Sequence, residues 1–345
     1  NISSFEFISS QYDHEVQANS VIKPLQGKGK VNGETSVIKP IFDSSHAVAI
    51  SQGLYPSYSE IDCYQMAGAS IDTAIRNLVA SGIDIDKIAL LDNFCWCSSN
   101  DPQRLYQLKK AVQACYDFAK VYETPYISGK DSMFNDFKGY DEKGNPIKIS
   151  VPPTLLISSI GIINDVLKTI SIDVKFSGDL IYILGETKDE LGGSEYFAMN
   201  KSVGNNVPKV EAQKNKKLYQ SFYNASQKQL ISSAISINRG GLGVALVKTA
   251  LAGKLGIEVS LDKLPGQISR NDFALFSESQ GRMLATINTK NKKVFEEIMK
   301  GNIFKQIGQV INNQQLMIKG LNNKVMVNLS LEKIERSYKS TFKNY

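Results

Sequence analysis

A strand–helix–strand unit between residues 87 and 128 constrains the fold of this chain more than any other stretch. KIALLDNF, Lys87 to Phe94, is a short apolar run that predicts a buried strand. Asp101 and Pro102 predict the start of a helix, because Asp favours the N-cap and Pro the first turn. Pro125 to Ser128 predicts a second strand. The buried stripe of the helix is predicted to consist of Leu105, Leu108, Val112, Cys115 and Ala119.

A unit of this kind joins parallel strands through a right-handed crossover, so both carboxyl ends lie at the same edge of the sheet. Those ends carry Asp92, Asn93 and the segment ISGKDSMFND, Ile127 to Asp136. Ligands of α/β sheets commonly bind at that edge. Two separate stretches of the chain are therefore predicted to converge on one ligand site.

ISGKDSMFND contains Gly-Lys followed closely by a hydroxyl residue, as a phosphate-binding loop does. A Walker A loop has the pattern GxxxxGK[ST]. Here Asp131 follows Lys130, and Thr124 stands five positions before Gly129, so both requirements fail. On spacing alone, an ordinary turn with a solvated Lys–Asp pair is an equally good interpretation.

The length of 345 residues favours two domains, predicted as 1–162 and 163–345. In the first domain, GKGKVNG at Gly27 to Gly33 predicts a hairpin connection, a helix is expected from Asp62 to Ala80, and TLLISSIGII predicts the closing strand. In the second, DLIYILG and RMLATIN predict strands, whereas Gln213 to Gln229 and the Gly-opened GGLGVALVKTALAG predict helices.

Composition excludes several classes of protein. Hydrophobic residues make up 42% of the chain, enough for a packed core, but no run of eighteen apolar residues predicts a membrane span. A net charge of +6 without a basic stripe interleaved with aromatics gives no indication of nucleic-acid binding. Four cysteines without a CxxC pair, and no secretory signal, favour reduced thiols in a cytoplasmic protein. The chain starts without Met, so we expect a fragment of a longer polypeptide.

Six stretches occur in the same order as in phosphoribosylformylglycinamidine synthase, which this sequence resembles. They are QYDHEVQ (11–17), DTAIRNLVASG (72–82), LDNFCW (91–96), ISGKDSMFND (127–136), LGGSEY (191–196) and FSESQGR (276–282). The resemblance is to the C-terminal half of the synthase core, and each half of that core resembles aminoimidazole ribonucleotide synthetase. It implies a two-domain α/β (α+β) fold, with an N-terminal domain that forms a shared β-barrel with its counterpart and a flanking C-terminal α/β domain.

The family is an ATP-dependent ligase of de novo purine biosynthesis, which converts formylglycinamide ribonucleotide to the amidine with glutamine-derived ammonia. An amide oxygen is a poor leaving group, and phosphorylation to an iminophosphate allows ammonia to displace phosphate. Such transfer depends on Mg2+ and on fixed donors that offset the phosphate charge. The resemblance therefore implies ATP and Mg2+ at a composite active site, to which this half contributes but which it does not form alone.

Four residues are expected to take part in that composite site. By position, Asp92 and Gly129 resemble family residues that contact ATP, and Ser132 resembles a substrate-contacting serine. Lys130 stands where shorter relatives carry a Mg2+-binding Asn; a cation cannot ligate Mg2+, so we expect Lys130 to contact phosphate. Two structural alternatives remain open, in which Asp92 caps the next turn and Ser132 satisfies the backbone of a loop.

The nucleotide cleft within this half departs from the family pattern. The motif Asp-x-Ser-Asp-Gly-Gly-Leu appears as SINRGGL from Ser236 to Leu242, and the family's Glu four residues before Asn77 is absent. Loss of hard oxygen ligands weakens Mg2+ binding, which leaves Asn77 as the one weak metal candidate and predicts a non-catalytic cleft. Free N–H groups at the start of the Gly240–Gly241 helix are expected to accept an anion. The degenerate cleft comprises Thr73, Ser236, Asn238, Arg239, Gly240 and Gly241.

Other parts of the enzyme are expected on other segments or chains. His14 and His46 match neither the family's catalytic histidine segment nor a Cys-His-Glu glutaminase, and His14 is interpreted as structural. Glu278 to Gln280 resembles a substrate-reading segment, although a structural role is equally consistent. The implied partners are the N-terminal half of the same synthase and a glutaminase domain or subunit. Alone, the fragment is expected to form a homodimer through its barrel surface or to be poorly soluble.

Three functional hypotheses remain. In the first, the chain is an enzyme half that completes a ligase site, as Asp92, Gly129 and Ser132 favour. In the second, it is a structural pseudoenzyme half, as the changes from Ser236 to Arg239 favour for its own cleft. In the third, it is a free-standing relative of aminoimidazole ribonucleotide synthetase, against which the missing carboxylates argue.

Overall fold

The computed structural model describes residues 2–11 and 17–344 and contains two main β-sheets. The strands are β1 Ser20–Ile22, β2 Leu25–Gln26, β3 Val31–Asn32, β4 Thr35–Ile38, β5 Ala47–Leu54, β6 Ile88–Cys95, β7 Tyr126–Ser132, β8 Phe137–Tyr140, β9 Pro146–Ile149, β10 Thr154–Ile163, β11 Leu180–Leu184, β12 Ile231–Ser236, β13 Gly256–Ser260, β14 Met283–Ile287, β15 Phe304–Ile311, β16 Gln315–Lys319 and β17 Val325–Ser330. The first sheet has the order β1-β4-β5-β10-β6-β7, and the second β12-β14-β11-β15-β13-β16-β17.

Helices lie before, between and after these strands. They are α1 Glu6–Ser9, α2 Cys63–Ala80, α3 Pro102–Tyr122, α4 Glu195–Met199, α5 Ala212–Gln227, α6 Gly241–Gly253, α7 Asn271–Phe276, α8 Lys292–Met299 and α9 Leu331–Lys339. Within residues 2–11 and 17–344, none of them combines the length and apolar character needed to cross a membrane. The mixed α/β architecture predicted from the sequence is confirmed.

The predicted strand–helix–strand unit is β6–α3–β7, and its two strands are parallel. The other neighbouring pairs described in the first sheet are antiparallel. Asp101 caps α3 as expected, because its side chain accepts hydrogen bonds from the backbone N–H groups of Gln103 and Arg104. The predicted hairpin at residues 27–33 is also present, since β2 pairs with β3 on either side of it.

The predicted buried stripe of α3 is wrong in part. The side chains of Leu105 and Val112 are each 50% exposed. The helix is rotated so that small and aromatic residues face α2, and this buried face consists of Ala111, Ala114, Cys115, Phe118 and Tyr122. Close approach explains the choice, because a Cβ on Gly68 of α2 would lie 2.5 Å from the Phe118 ring.

α2 lies at the centre of the molecule, against β5 and β10 on one side and α3 on the other. Asp62 caps it by accepting from the N–H groups of Tyr64 and Gln65. The hydrophobic core around α2 continues into the second half of the chain, where Tyr219 and Phe222 of α5 belong to the same cluster. The division into domains at residues 162 and 163 stays a prediction.

The two faces of the first sheet differ in their surroundings. Along β5 and β10, residues alternate between buried positions, which include those packed against α2, and outward positions. The outward positions carry large apolar side chains, with Ile50 49%, Leu54 36%, Ile160 38% and Ile162 53% exposed. An apolar sheet face of this kind is typical of an interaction surface.

Candidate functional site

Parallel pairing of β6 with β7 brings the predicted composite-site residues together. The register sets Asp92 beside Gly129 and Cys95 beside Ser132. Lys130 follows Gly129 on the same strand, whose outer edge pairs with no other strand in the sheet described. The four residues chosen from two separate stretches therefore lie together on two adjacent strands (the β6–β7 cluster), with Asp92 and Gly129 on one face of the sheet and Lys130 and Ser132 on the other.

Gly129 is required by its contact with Asp92. A Cβ at position 129 would lie 2.1 Å from Oδ1 of Asp92, so any larger residue forces the carboxylate away. Burial and the neighbouring charge of Asp131 raise the pKa of Asp92, while hydrogen bonding from the Lys130 backbone opposes the shift. The carboxylates of Asp92 and Asp131 therefore repel each other next to the backbone of Gly129.

Lys130 and Ser132 lie on the same face of β7, because side chains two residues apart in a strand point the same way. The Nζ of Lys130 donates a hydrogen bond to the Oγ of Ser132. The carbonyl of Ser132 accepts from the Trp96 N–H at 2.7 Å and from the Asn135 amide at 2.9 Å. The Ser132 hydroxyl is therefore held by a lysine at the surface.

The prediction that Gly129, Lys130 and Ser132 belong to a loop is wrong. All three lie within β7, and Asp92 lies within β6 instead of capping a turn. The absence of a side chain at Gly129 lets the strand ladder continue beside Asp92, so the backbone stays extended through Ser132. The cluster is consequently open to a ligand along an edge strand.

A second candidate site is a cavity of about 460 Å³ bounded by α2, the end of β12 and the start of α6. Of the predicted cleft residues, those that line it are Thr73, Asn77, Ser236, Asn238, Arg239 and Gly241. Gly240 precedes α6 with a positive φ of 82°, a conformation that favours glycine. Residues from two distant segments therefore line one cavity, and its interpretation as a degenerate nucleotide cleft stays a prediction.

The floor of the cavity is organised by Arg76, whose side chain is fully buried. Its Nε donates to Ser236 Oγ at 2.7 Å, and its Nη2 donates to Asn238 Oδ1 at 2.9 Å and to Thr73 Oγ1 at 3.1 Å. Burial opposes the charge of Arg76, but the ion pair with Asp72 outweighs it and raises the pKa of the guanidinium. A permanent cation therefore lies beneath the floor of the cleft.

The expectation of free N–H groups at Gly240 and Gly241 is wrong. Gly240 N–H donates to Oε1 of Glu278 at 2.8 Å, and Gly241 N–H donates to the carbonyl of Asn238 at 3.0 Å. Glu278 is buried and also accepts from Tyr58 OH at 2.5 Å. Burial raises the pKa of Glu278, and the hydrogen bond from Gly240 opposes the shift. The carboxylate of Glu278 therefore already accepts the hydrogen bond at the start of α6 that an anionic ligand would accept.

Comparison with known proteins shows which proteins this chain is similar to. A family model described as "AIR synthase related protein, C-terminal domain" matches residues 177–319. The phosphoribosylformylglycinamidine synthase subunit PurL of Methanocaldococcus jannaschii is 34% identical over 346 residues, which cover 99% of this chain and 45% of that protein. Residues 177–319 are therefore similar to the C-terminal domain of AIR synthase-related proteins. The chain spans about half the length of the curated relatives it matches.

Solved structures of Thermotoga maritima PurL share the fold of this chain. PurL complexed with FGAR matches with a TM-score of 0.71 and 18% identity, covering 94% of this chain and 50% of that chain. PurL complexed with ATP matches with a TM-score of 0.67 and 17% identity, covering 97% of this chain and 52% of that chain.

The residues of the α2–α6 cavity do not fit a Mg2+ ion. The Oγ of Ser236, Oδ1 of Asn238 and Oγ1 of Thr73 accept hydrogen bonds from Arg76, so a guanidinium faces the oxygen atoms that a cation would need. Asn77 Oδ1 accepts from the Asn238 amide at 3.0 Å. Across the part of the chain that the structure describes, no group of three or more His, Cys, Asp or Glu residues forms a metal cluster.

Sequence reasoning missed two features that decide which ligands the cleft can hold. One is the buried cation Arg76, and the other is the capping of the start of α6 by Glu278. One signal was available, because Asp72 and Arg76 lie four positions apart on a helix that is buried on nearly every face. Charged residues at such positions require partners. Asp72 has several besides Arg76, and its carboxylate accepts from Tyr122 OH at 2.5 Å, Tyr219 OH at 2.7 Å and Asn215 Nδ2 at 3.0 Å.

His46 is the one histidine among the described residues, and it belongs to neither site. His14 lies outside the described residues, so its predicted structural role stays a prediction. His46 contacts the Ser44 hydroxyl through Nδ1 at 3.1 Å. Neither the 460 Å³ cavity nor the β6–β7 cluster includes His46.

Proposed function

We propose that this chain is the C-terminal half of a phosphoribosylformylglycinamidine synthase and completes a composite active site with an N-terminal half. The observation that carries the proposal is the cluster of Asp92, Gly129, Lys130 and Ser132 on adjacent parallel strands. The match to about half of the M. jannaschii PurL supports the reading as a half.

Each residue of the cluster has a chemical role in this proposal. Lys130 offsets the charge of a phosphate, and Gly129 leaves room for the Asp92 carboxylate beside β7. Ser132 contacts the ribonucleotide substrate, while Asp92 contacts ATP. Mg2+ at this site would offset phosphate charge, and Asp92 and Asp131 are the hard oxygen donors to hold it, since their mutual repulsion favours a cation.

We further propose that the apolar face of the first sheet binds the N-terminal half. Outward residues Ile50, Ile160 and Ile162 are neighbours on two paired strands, and Leu54 lies further along β5 beyond Gln52. When the chain is alone, the resemblance implies that a second copy covers this face, so the chain forms a homodimer.

The glutamine-derived ammonia would come from a glutaminase domain or subunit. The free thiols of all four cysteines favour a cytoplasmic location.

A second candidate function is a structural pseudoenzyme half. The specific observation that favours it lies beneath the cavity. There Arg76 donates to the hydroxyl of Ser236, and Glu278 accepts from the Gly240 N–H at the start of α6, so these groups are not free for a ligand. This observation concerns the cavity within the chain and does not bear on the β6–β7 cluster. The two functions therefore differ in whether substitutions in that cluster affect catalysis.

Complementation tests the proposal. The chain is mixed with an N-terminal half, and amidine formation is measured with ATP, Mg2+, ammonia and formylglycinamide ribonucleotide. Ser132→Ala and Asp92→Ala are expected to lower kcat/KM at least tenfold. Asp86→Asn, an exposed acid outside the cluster, serves as the control with unchanged activity. If both cluster variants retain full activity, the composite site is excluded and the pseudoenzyme half remains.

A further inference from the structure

A second cavity, of about 290 Å³, lies on a different surface from the 460 Å³ cleft and shares no lining residue with it. Its walls are the loop after β11, the first turns of α5, the segment 279–281 and residues 301–303. Its charged lining residues are Glu186, Lys188, Glu190, Lys209, Glu211, Lys214 and Lys217. Ser279 and Gln280 belong to the segment that resembles a substrate-reading one, but the composite site proposed above uses none of the residues of this cavity.

Glu190 carries an unsatisfied carboxylate oxygen in this wall. The residue is 5% exposed, and its Oε1 accepts from the Lys209 N–H at 3.1 Å. Its Oε2 is buried and has no hydrogen-bond partner among residues 2–11 and 17–344. A buried polar atom without a hydrogen-bond partner is costly, so a ligand that donates a hydrogen bond here gains affinity once the wall opens to it. The fully buried Arg282 also acts electrostatically on the Glu190 carboxylate.

The more exposed part of the lining is cationic. Lys188 and Lys214 both pair with the carboxylate of Glu211, and Glu186 also acts electrostatically on Lys214. The Nζ of Lys217 donates to the Gly301 carbonyl at 3.0 Å, a neutral partner that leaves its charge uncompensated. The Lys214 side chain is 66% exposed, which places a cation at the mouth of the cavity.

We propose that this cavity binds a free α-amino acid as its zwitterion. The ammonium donates to Oε2 of Glu190 at the buried end, and the carboxylate lies among Lys188, Lys214 and Lys217. The size agrees, because about 290 Å³ corresponds to roughly ten water molecules of liquid volume, enough for a free amino acid. Binding here is independent of the proposed synthase reaction.

Calorimetric titration with each of the twenty standard amino acids tests the inference. For the tightest binder, the matching amine without the α-carboxylate and the matching acid without the α-amino group are titrated next. Both are expected to bind ~10- to 100-fold more weakly, because each loses one charge-assisted contact. If no amino acid binds at 10 mM (roughly the upper limit for weak metabolite sites), or if one analogue binds as tightly, the inference is wrong.

Matched variants locate the site. Glu190→Gln and Lys217→Gln are expected to weaken binding at least tenfold, whereas Lys216→Gln, whose side chain pairs with Glu123 outside the cavity, leaves it unchanged. Circular dichroism melting establishes that each variant is folded. Should Glu190→Gln fail to fold, the affinities of Lys217→Gln and Lys216→Gln are compared, and this comparison by itself tests the location of the site. Equal affinity for these two variants contradicts the inference.

Discussion

The guanidinium of Arg76 donates through Nε to the hydroxyl of Ser236 at 2.7 Å, joining the central helix α2 to the end of β12. Asp72, one turn earlier on α2, forms the ion pair that compensates the buried charge. A buried positive residue therefore lies directly beneath the lining of the cleft and holds its oxygen atoms. The contacts beneath this cleft are better suited to stabilising the fold than to binding a nucleotide with a metal ion.

Replacement of Arg76 tests whether its contacts stabilise the fold. Arg76→Met leaves Asp72 charged and buried without its main partner, so the free energy of unfolding is expected to fall by about 3–5 kcal/mol. Urea denaturation measures the change. Arg336→Gln, which breaks an exposed pair with Glu332, is the control and costs less than about 1 kcal/mol. Equal small losses for both variants would contradict a stabilising role.

The contact between Gly129 and Asp92 predicts a suppressor relationship. Gly129→Ala places a Cβ against Oδ1 of Asp92, whose carboxylate rotates away, and we expect a loss of about 0.5–1.5 kcal/mol in stability together with loss of complementation activity. The double variant Gly129→Ala with Asp92→Ala removes the clash and recovers stability, but not activity. Recovery of activity in the double variant would show that Asp92 has no catalytic contribution.

The raised pKa of Asp92 predicts a pH-dependent stability change. A carboxyl group whose folded pKa lies above its unfolded value, about 3.9, destabilises the folded state once it ionises. Asp92→Asn is therefore expected to stabilise the chain at pH 7, by less than about 1 kcal/mol because solvent screens the partly buried group. The gain vanishes below about pH 4. Unfolding at pH 3 and pH 7 measures it, and a gain that persists at pH 3 would point to another cause.

The apolar face of the first sheet predicts self-association of the isolated chain. At micromolar concentration, light scattering is expected to show a dimer or larger species, and Ile162→Glu or Ile160→Glu is expected to shift it towards monomer. Leu167→Glu changes a side chain that is 80% exposed outside this face and serves as the control. A monomeric wild-type chain would contradict the interface.

Nucleotide titration tests the character of the 460 Å³ cleft. We expect the chain alone to bind Mg-ATP no more tightly than about 1 mM, because Arg76 and Glu278 occupy the groups that a metal and a phosphate would use. Isothermal calorimetry measures the affinity. Micromolar binding that Arg239→Ala abolishes would refute the non-catalytic interpretation of the cleft.

Local signals determined several elements of this protein before any tertiary contact was known. Asp101 and Pro102 mark the start of α3, and Asp62 marks the start of α2, because capping depends on residues within one turn. The connection β6–α3–β7 predicted parallel strands, and from them the proximity of Asp92 and Gly129. The resemblance added roles for these residues, which stay predictions until the complementation assay is performed.

Tertiary structure decided what periodicity and motifs cannot encode. Leu105 and Val112 fit a helical stripe, yet α3 turns its smaller residues to α2, because close packing depends on the shape of the facing helix. The carboxylate that satisfies Gly240 comes from Glu278, and the cation beside Ser236 comes from Arg76 in a distant part of the chain. Such partners are selected by burial and distance in the folded state, so sequence spacing alone contains no record of them.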